Sequence, residues 1–299
     1  MGKKVLAIFY SQSGQLAEII HNLTTPFLEA GNSVEIVRVE PVPDYAFPWT
    51  TRRFYSVMPD CVLGVTGELA PFTLKETSYD LIVLGYQPWF LYPSIPVNTL
   101  LQHPTFRSVL KNTPVVTATG ARNMWLNAFL EIKKCIHSAG ARLVGNIALI
   151  DRHPNHISFV TIFHWLLGGK KDRYLRFFPF PGVSAADIQR ASGFGRLLLP
   201  RLQSGLWNGL QEELEAEHAV NTRYSLLLLE SKAIPTYVVW ARFIVKRKKR
   251  NFWLAVFRYY LLFSLFVAAP IMIAVDALLI RPFRSRKIKE KRHYYLSLN

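Results

Sequence analysis

The sequence predicts a doubly wound α/β domain over residues 1–155: a five-stranded parallel sheet in the order 2-1-3-4-5, followed by a helical C-terminal extension. Continuous apolar runs of strand length, helical spacing between them and glycine stops carry this reading. Val5 to Tyr10 is apolar throughout, as a strand buried on both faces must be. Leu16, Ile19, Ile20, Leu23, Phe27 and Leu28 then recur at helical spacing before Gly31. Ser33 to Val39 reads as the second strand, Leu81 to Leu84 as the third and Val115 to Ala118 as the fourth. Trp125 to Ala139 is a helix ended by Gly140, and Leu143 to Ile150 is the fifth strand. The long segment Pro41 to Tyr79, rich in Pro and aromatics, is expected to be a lid or binding loop unless it hides a helix. Beyond residue 155, Ile157 to Leu167 is apolar, Gly168-Gly169 breaks it, and Ala185 to Glu217 looks helical with a break at Pro200.

In an open parallel sheet, ligands bind at the carboxyl ends of the strands, so the loops there are the candidate site. Ser11, Gln12, Ser13, Gly14 and Gln15 join the first strand to the first helix. Backbone N–H groups at a helix start, with short hydroxyl side chains, form an anion site, and Gly14 permits close backbone approach. The same residues also suit an ordinary capped turn. The run resembles the flavodoxin phosphate signature, Thr/Ser-x-Thr-Gly-x-Thr, with Leu16 in place of the last Thr and one hydroxyl donor fewer. After the third strand, Gly85 to Pro96, with Pro88, Trp89 and Phe90, looks like the flavodoxin loop whose aromatics border the isoalloxazine. After the fourth, Thr119, Gly120, Ala121, Arg122 and Asn123 fall where flavodoxin-like enzymes place backbone donors against the flavin. The flavodoxin-like resemblance implies FMN as cofactor. Trp89, Phe90 and Trp125 are equally readable as core.

A narrower resemblance lies in Tyr10 to Leu16, Gly85 to Phe90, Gly120 to Trp125, His153 to Ser158 and Phe163 to Tyr174. Together these are similar to the dialkylresorcinol condensing enzymes of resorcinol-lipid and flexirubin-type pigment biosynthesis, over residues 1–185. Ketosynthase-type condensation needs a Cys nucleophile with His and Asn partners. Neither Cys61, in the long segment, nor Cys135, in the fourth helix, has that setting. The family is also associated with aromatisation, so the resemblance implies FMN-dependent oxidation of a cyclised dialkyl cyclohexanedione to a dialkylresorcinol. A membrane-associated NAD(P)H–quinone reductase and a tethered electron-carrier flavodoxin are the alternatives.

His153, His156 and His164 follow the fifth strand, near Asp151 and Asp172. Their spacing matches no common metal motif, and no metal is expected. Acid–base chemistry, for which imidazole is suited near neutral pH, and plain packing in a polar loop both stay open. His153 and His156 are the catalytic candidates, with Tyr86 as an oxyanion donor.

Half of the 299 residues are hydrophobic, which excludes a disordered chain, and two cysteines cannot make a disulfide framework. The apolar run after Lys4 is too short for a secretory signal, so a cytosolic N-terminus is expected. The net charge of +16 is concentrated at the end: residues 241–299 hold fourteen Lys and Arg against Asp276 and Glu290. Two basic clusters, Lys246 to Arg250 and Arg281 to Arg292, flank the apolar stretch Phe252 to Ile280. That arrangement favours an anionic membrane surface over nucleic acid. Basic ends on both sides, with Ala268-Ala269-Pro270 between, predict a re-entrant or interfacial helix pair on the cytoplasmic face of the bacterial inner membrane. The expected organisation is 1–155 for FMN, 156–240 as an extension covering the site and 241–299 as the membrane tail. The expected partners are a lipid-like dialkyl ring substrate, a ketosynthase of the same pathway and a second copy of the chain as a homodimer.

Overall fold

The computed structural model describes residues 2–280 and 297–298; the second basic cluster, Arg281 to Arg292, lies outside them. Five strands form one parallel sheet: β1 (Lys4–Phe9), β2 (Ser33–Arg38), β3 (Leu81–Tyr86), β4 (Pro114–Ala121) and β5 (Arg142–Ile150). Their order is β2-β1-β3-β4-β5, the doubly wound arrangement of the flavodoxin-like fold. Register follows the pleat. Leu6, Ile8, Ile82 and Leu84 feed one core, while Val5, Ala7, Phe9 and Val83 feed the other. Each core closes under helices, which is why the strands are apolar on both faces.

On the first face lie α4 (Ile95–Gln102) and α5 (Leu126–Ser138), bringing Val97, Leu100, Phe129 and Ile132. On the second lies α1 (Gln15–Glu29), joined by α7 (Ala185–Ser204) and α8 (Leu210–Ala216). Ile188, Phe194 and Leu198 share a cluster with Leu16, Ile19 and Leu23. α7 and α8, from beyond residue 155, thus pack in the same layer as α1. The close approach of α7 to α1 depends on Gly195, where an added Cβ would sit 2.2 Å from the Leu23 carbonyl oxygen. The break expected at Pro200 is absent: α7 runs through it and stops at Gly205, whose φ of 72° permits the left-handed cap.

The long segment does hide helices, α2 (Thr51–Ser56) and α3 (Met58–Val62). α6 (Asn155–Gly168) ends at Gly169, and α9 (Tyr224–Val245), with no counterpart among the sequence expectations, crosses towards the tail. Among the described residues, the apolar stretch of the tail is one helix, α10 (Arg250–Leu279), and not a bent pair. Pro270 is absorbed because Ser264–Ala268 runs in π-helical register just before it. α9 and α10 pack antiparallel, Phe243 on Trp253 (4.7 Å between ring centroids) and Trp240 on Tyr260 (5.4 Å). By length and composition α10 is able to cross a membrane, and only 11 % of its most apolar window is buried.

Candidate functional site

The three strand-end loops meet at one cavity of about 490 Å³, within the range of small-molecule sites. Their residues do not all face it. Gln12, Ser13 and Gln15 line it, whereas Ser11 is fully buried and its Oγ accepts the Ala17 N–H (3.2 Å), capping α1 from within. The Gln15 side chain clamps the Val183 backbone through two 3.1 Å bonds, so that it holds residues 182–183 against the loop. Gln12 Nε2 donates to the Tyr45 carbonyl (3.0 Å). What remains for an anion is the first turn of α1, whose N–H groups have no intrahelical acceptors. Gly14 opens that turn with a φ of 85°. An added Cβ there would meet no atom within 4 Å, so backbone conformation, not space, requires the glycine.

In the second loop, Pro88–Trp89 pairs antiparallel with Tyr92–Pro93. The two residues at its tip, Phe90 and Leu91, both have positive φ, 49° and 71°. Such a turn normally takes Asn-Gly, and two bulky residues there cost on the order of 1–2 kcal/mol each. Both line the cavity, which places the strain at the site. Trp89 meets Tyr45 (5.0 Å) and Trp49 (5.2 Å) edge to face, and Phe90 reaches Phe54 (4.9 Å). The third loop divides. Thr119 is buried, its hydroxyl donating to the Tyr86 carbonyl (2.7 Å), while Gly120, Ala121 and Arg122 line the cavity. A Cβ on Gly120 would come within 2.8 Å of Ile19 Cδ1. Arg122 Nη1 donates to the Asn155 carbonyl (3.0 Å) and Oδ1 (2.7 Å), which also accepts from Asn123 Nδ2 (2.9 Å). Burial pushes the guanidinium down to about 10, against the pull of Tyr237 and Asp151, so it stays charged at neutral pH.

The catalytic candidates do not reach this wall. His153 binds Asp151 Oδ1 through Nδ1 (2.6 Å), and Ser158 Oγ donates to Asp151 Oδ2 (2.7 Å), a network that pins the start of α6. His156 is exposed, and His164 pairs with Asp172 (2.6 Å) beside Tyr174. Tyr86 is buried beneath the sheet edge, and its hydroxyl has no partner among the described residues. Cys61 is buried, and burial raises its thiol well above the ordinary range, unlike a nucleophile.

The far wall comes from the segment 156–240, expected as an extension covering the site, and from the tail. Phe159, Phe163 and Trp165 come from α6, Lys232 and Tyr237 from α9, and Ser264, Ala268 and Met272 from α10. Gln87, whose Oε1 is buried without a partner, also faces the cavity. Behind α9, Glu230 is buried with Oε1 accepting the Asn127 N–H (2.8 Å) at the start of α5, and burial raises its carboxyl to about 7.

No protein-family model and no curated protein matches this chain. Solved structures with a similar fold include a flavoprotein in complex with FMN from Lactobacillus acidophilus NCFM. It is 20% identical, with 49% of this chain and 93% of that chain covered and a TM-score of 0.39. A flavodoxin from the domain Archaea is 12% identical, covering 67% and 99%, with a TM-score of 0.35. Flavodoxin 1 from Bacillus cereus is 14% identical, covering 64% and 95%, with a TM-score of 0.33. The fold assignment rests on this chain's own sheet order and not on these likenesses.

Proposed function

We propose that this chain is an FMN-dependent oxidoreductase that aromatises a cyclised dialkyl cyclohexanedione to a dialkylresorcinol, working at the cytoplasmic face of a bacterial inner membrane. One observation carries the reading: the phosphate-type loop and the apolar wall of α6, α9 and α10 belong to one continuous cavity. A flavin and a lipophilic ring therefore share a room. The residues fit FMN. The first turn of α1 suits its phosphate, and Gln87 Oε1, without a partner among the described residues, offers an acceptor to a ring N–H. When bound, FMN supplies a two-electron acceptor.

Converting the dione ring to the resorcinol removes two hydrogens and neither adds nor removes oxygen. Arg122, fixed by Asn155, offers a positive charge to the ring oxygen that turns anionic as the neighbouring C–H proton leaves. Tyr237 lines the same cavity, and burial raises its hydroxyl far above neutrality, so it donates a hydrogen bond and holds its proton. His153 acts from outside, positioning α6 through Asp151. Aromatic rings of α2 and α6 exclude water. A roof of this kind suits an enzyme better than a carrier, which must present its flavin edge to another protein.

The test is anaerobic. The FMN-loaded protein should bleach on addition of the dialkyl dione without NAD(P)H and regain colour with oxygen or a quinone. Bleaching only by NAD(P)H, with turnover of simple quinones, would identify a quinone reductase instead.

A further inference from the structure

The antiparallel pair α9/α10 is closed at one half and open at the other. In the closed half Tyr237, Trp240 and Phe243 stack on Trp253, Phe257 and Tyr260, with centroid separations of 4.7–5.7 Å. In the open half neither helix contributes a ring to the cavity lining: Leu229, Lys232, Ala233 and Thr236 line it on one side and Ser264, Leu265, Ala268, Ala269 and Met272 on the other. Thr236 turns its hydroxyl back to the Ala233 carbonyl (2.7 Å), which leaves the slot largely apolar. The lining runs from Ser264 to Met272 on α10 and from Leu229 to Thr236 on α9, about 10–12 Å at the helical rise. Beyond it, Tyr224 Oη donates to Asp276 Oδ1 (3.2 Å) and ties the helices together again. The π-helical register over Ser264–Ala268 lies within the slot, where such turns often mark functional positions.

We infer that this slot is a binding site for one linear alkyl chain, held lengthwise between α9 and α10 with its head towards Arg122. An elongated lining of small and aliphatic residues, with Lys232 among them, fits a polymethylene chain. The assignment rests on the flavin reading only for the ligand's ring end. A substrate side chain and an acyl chain of a membrane lipid share this chemistry, and α10 faces both ways. Its inner side lines the slot, while Phe263, Ile271 and Leu278 on its outer side are 59 %, 58 % and 75 % exposed.

The experiment uses the full chain in cholate, a detergent without an alkyl chain, with cis-parinaric acid as the fluorescent probe. One probe per chain should bind. Octanoic, decanoic and dodecanoic acids should displace it, each methylene strengthening displacement about fourfold until the slot is full. Ala268→Phe and Ala233→Leu, which fill the slot, should each weaken probe binding at least tenfold. Phe263→Ser, on the outer side, should leave the probe affinity as it is. Wild-type probe binding in either filled variant overturns the slot, and Ala233→Leu decides if Ala268→Phe does not fold. Probe binding without any FMN binding would leave the slot standing and sink the flavin reading. Mass spectrometry of chains extracted from the purified protein then distinguishes phospholipid from free acyl or ring-borne chains; a chain-free protein that binds no probe overturns the site.

Discussion

Glu230 shows how one buried side chain couples stability to pH. Its carboxyl is raised from 4.5 to about 7 by desolvation, against the hydrogen bonds it accepts at the start of α5. The unfolded chain releases this proton near its ordinary pKa, whereas the folded chain holds it until about 7. The group's contribution is thus fully present below the unfolded pKa and is lost as pH rises through the folded one. Over that window the loss is on the order of 3–4 kcal/mol at roughly 1.4 kcal/mol per pKa unit. Glu230→Gln, which keeps an acceptor for the Asn127 N–H, should flatten the dependence of Tm on pH between 4.5 and 7 and should raise Tm at pH values above it. An unchanged slope would show that the carboxyl titrates normally. Gly14 is the second residue-scale case. Gly14→Ala forces an L side chain into a φ of 85°, which costs about 1–2 kcal/mol. The loop's escape from that strain should weaken FMN at least tenfold in a fluorescence-quenching titration, while the far-ultraviolet spectrum stays native.

At the scale of elements, α10 decides most. Its inner face completes a core cluster with Tyr55, Leu91 and Tyr237 through Leu254 and Phe257. It is therefore a wall of the site, and removing it would strip one side of the cavity. Its outer face is apolar and faces away from the protein. Phe263→Ser with Ile271→Ser should lower co-sedimentation with neutral phosphatidylcholine vesicles without lowering Tm by more than about 1 kcal/mol equivalent, since exposed positions contribute little to folding. Equal sedimentation would mean that the outer face meets something other than lipid. The hairpin Pro88–Pro93 is a second such element. Phe90 and Leu91 keep their strained turn because Phe54, Tyr55 and Phe257 surround Phe90, so packing offsets the backbone cost.

For the whole molecule, charge and apolar surface lie together. Lys246 to Arg250 are exposed at the turn between α9 and α10, and among the described residues only Arg250 of these pairs with an acid, Asp60 at 3.7 Å. Each cation near an anionic surface contributes about 1 kcal/mol. Neutralising Lys246, Lys248 and Lys249 should weaken binding to phosphatidylglycerol vesicles by about 3 kcal/mol, roughly a hundredfold, with little effect on neutral vesicles. High salt should mimic the change, and binding that ignores both would rule out an electrostatic contribution.

The sheet was legible because parallel strands buried on both faces leave continuous apolar runs, and the order follows from right-handed crossovers between them. The loops were legible as a site because ligands gather where such strands end. Which loop atoms face the cavity was not. Ser11 and Thr119 satisfy backbone partners, and Gln15 holds residues 182–183, because a buried polar side chain takes whatever partner folding brings near. Nor could spacing tell that Pro270 sits within one continuous helix, since a local π turn removes the clash that proline otherwise brings. The far wall was legible only as an extension over 156–240 expected to cover the site. Ala233, Thr236 and Ser264 carry no signal of their own and Ala268 reads as part of a bend; only the antiparallel crossing of α9 and α10 makes a slot of them. Periodic hydrophobicity determined the layers and the sheet's working edge; the pairing of distant helices decided what that edge encloses, because a cavity is a property of surfaces that meet and no single segment encodes it.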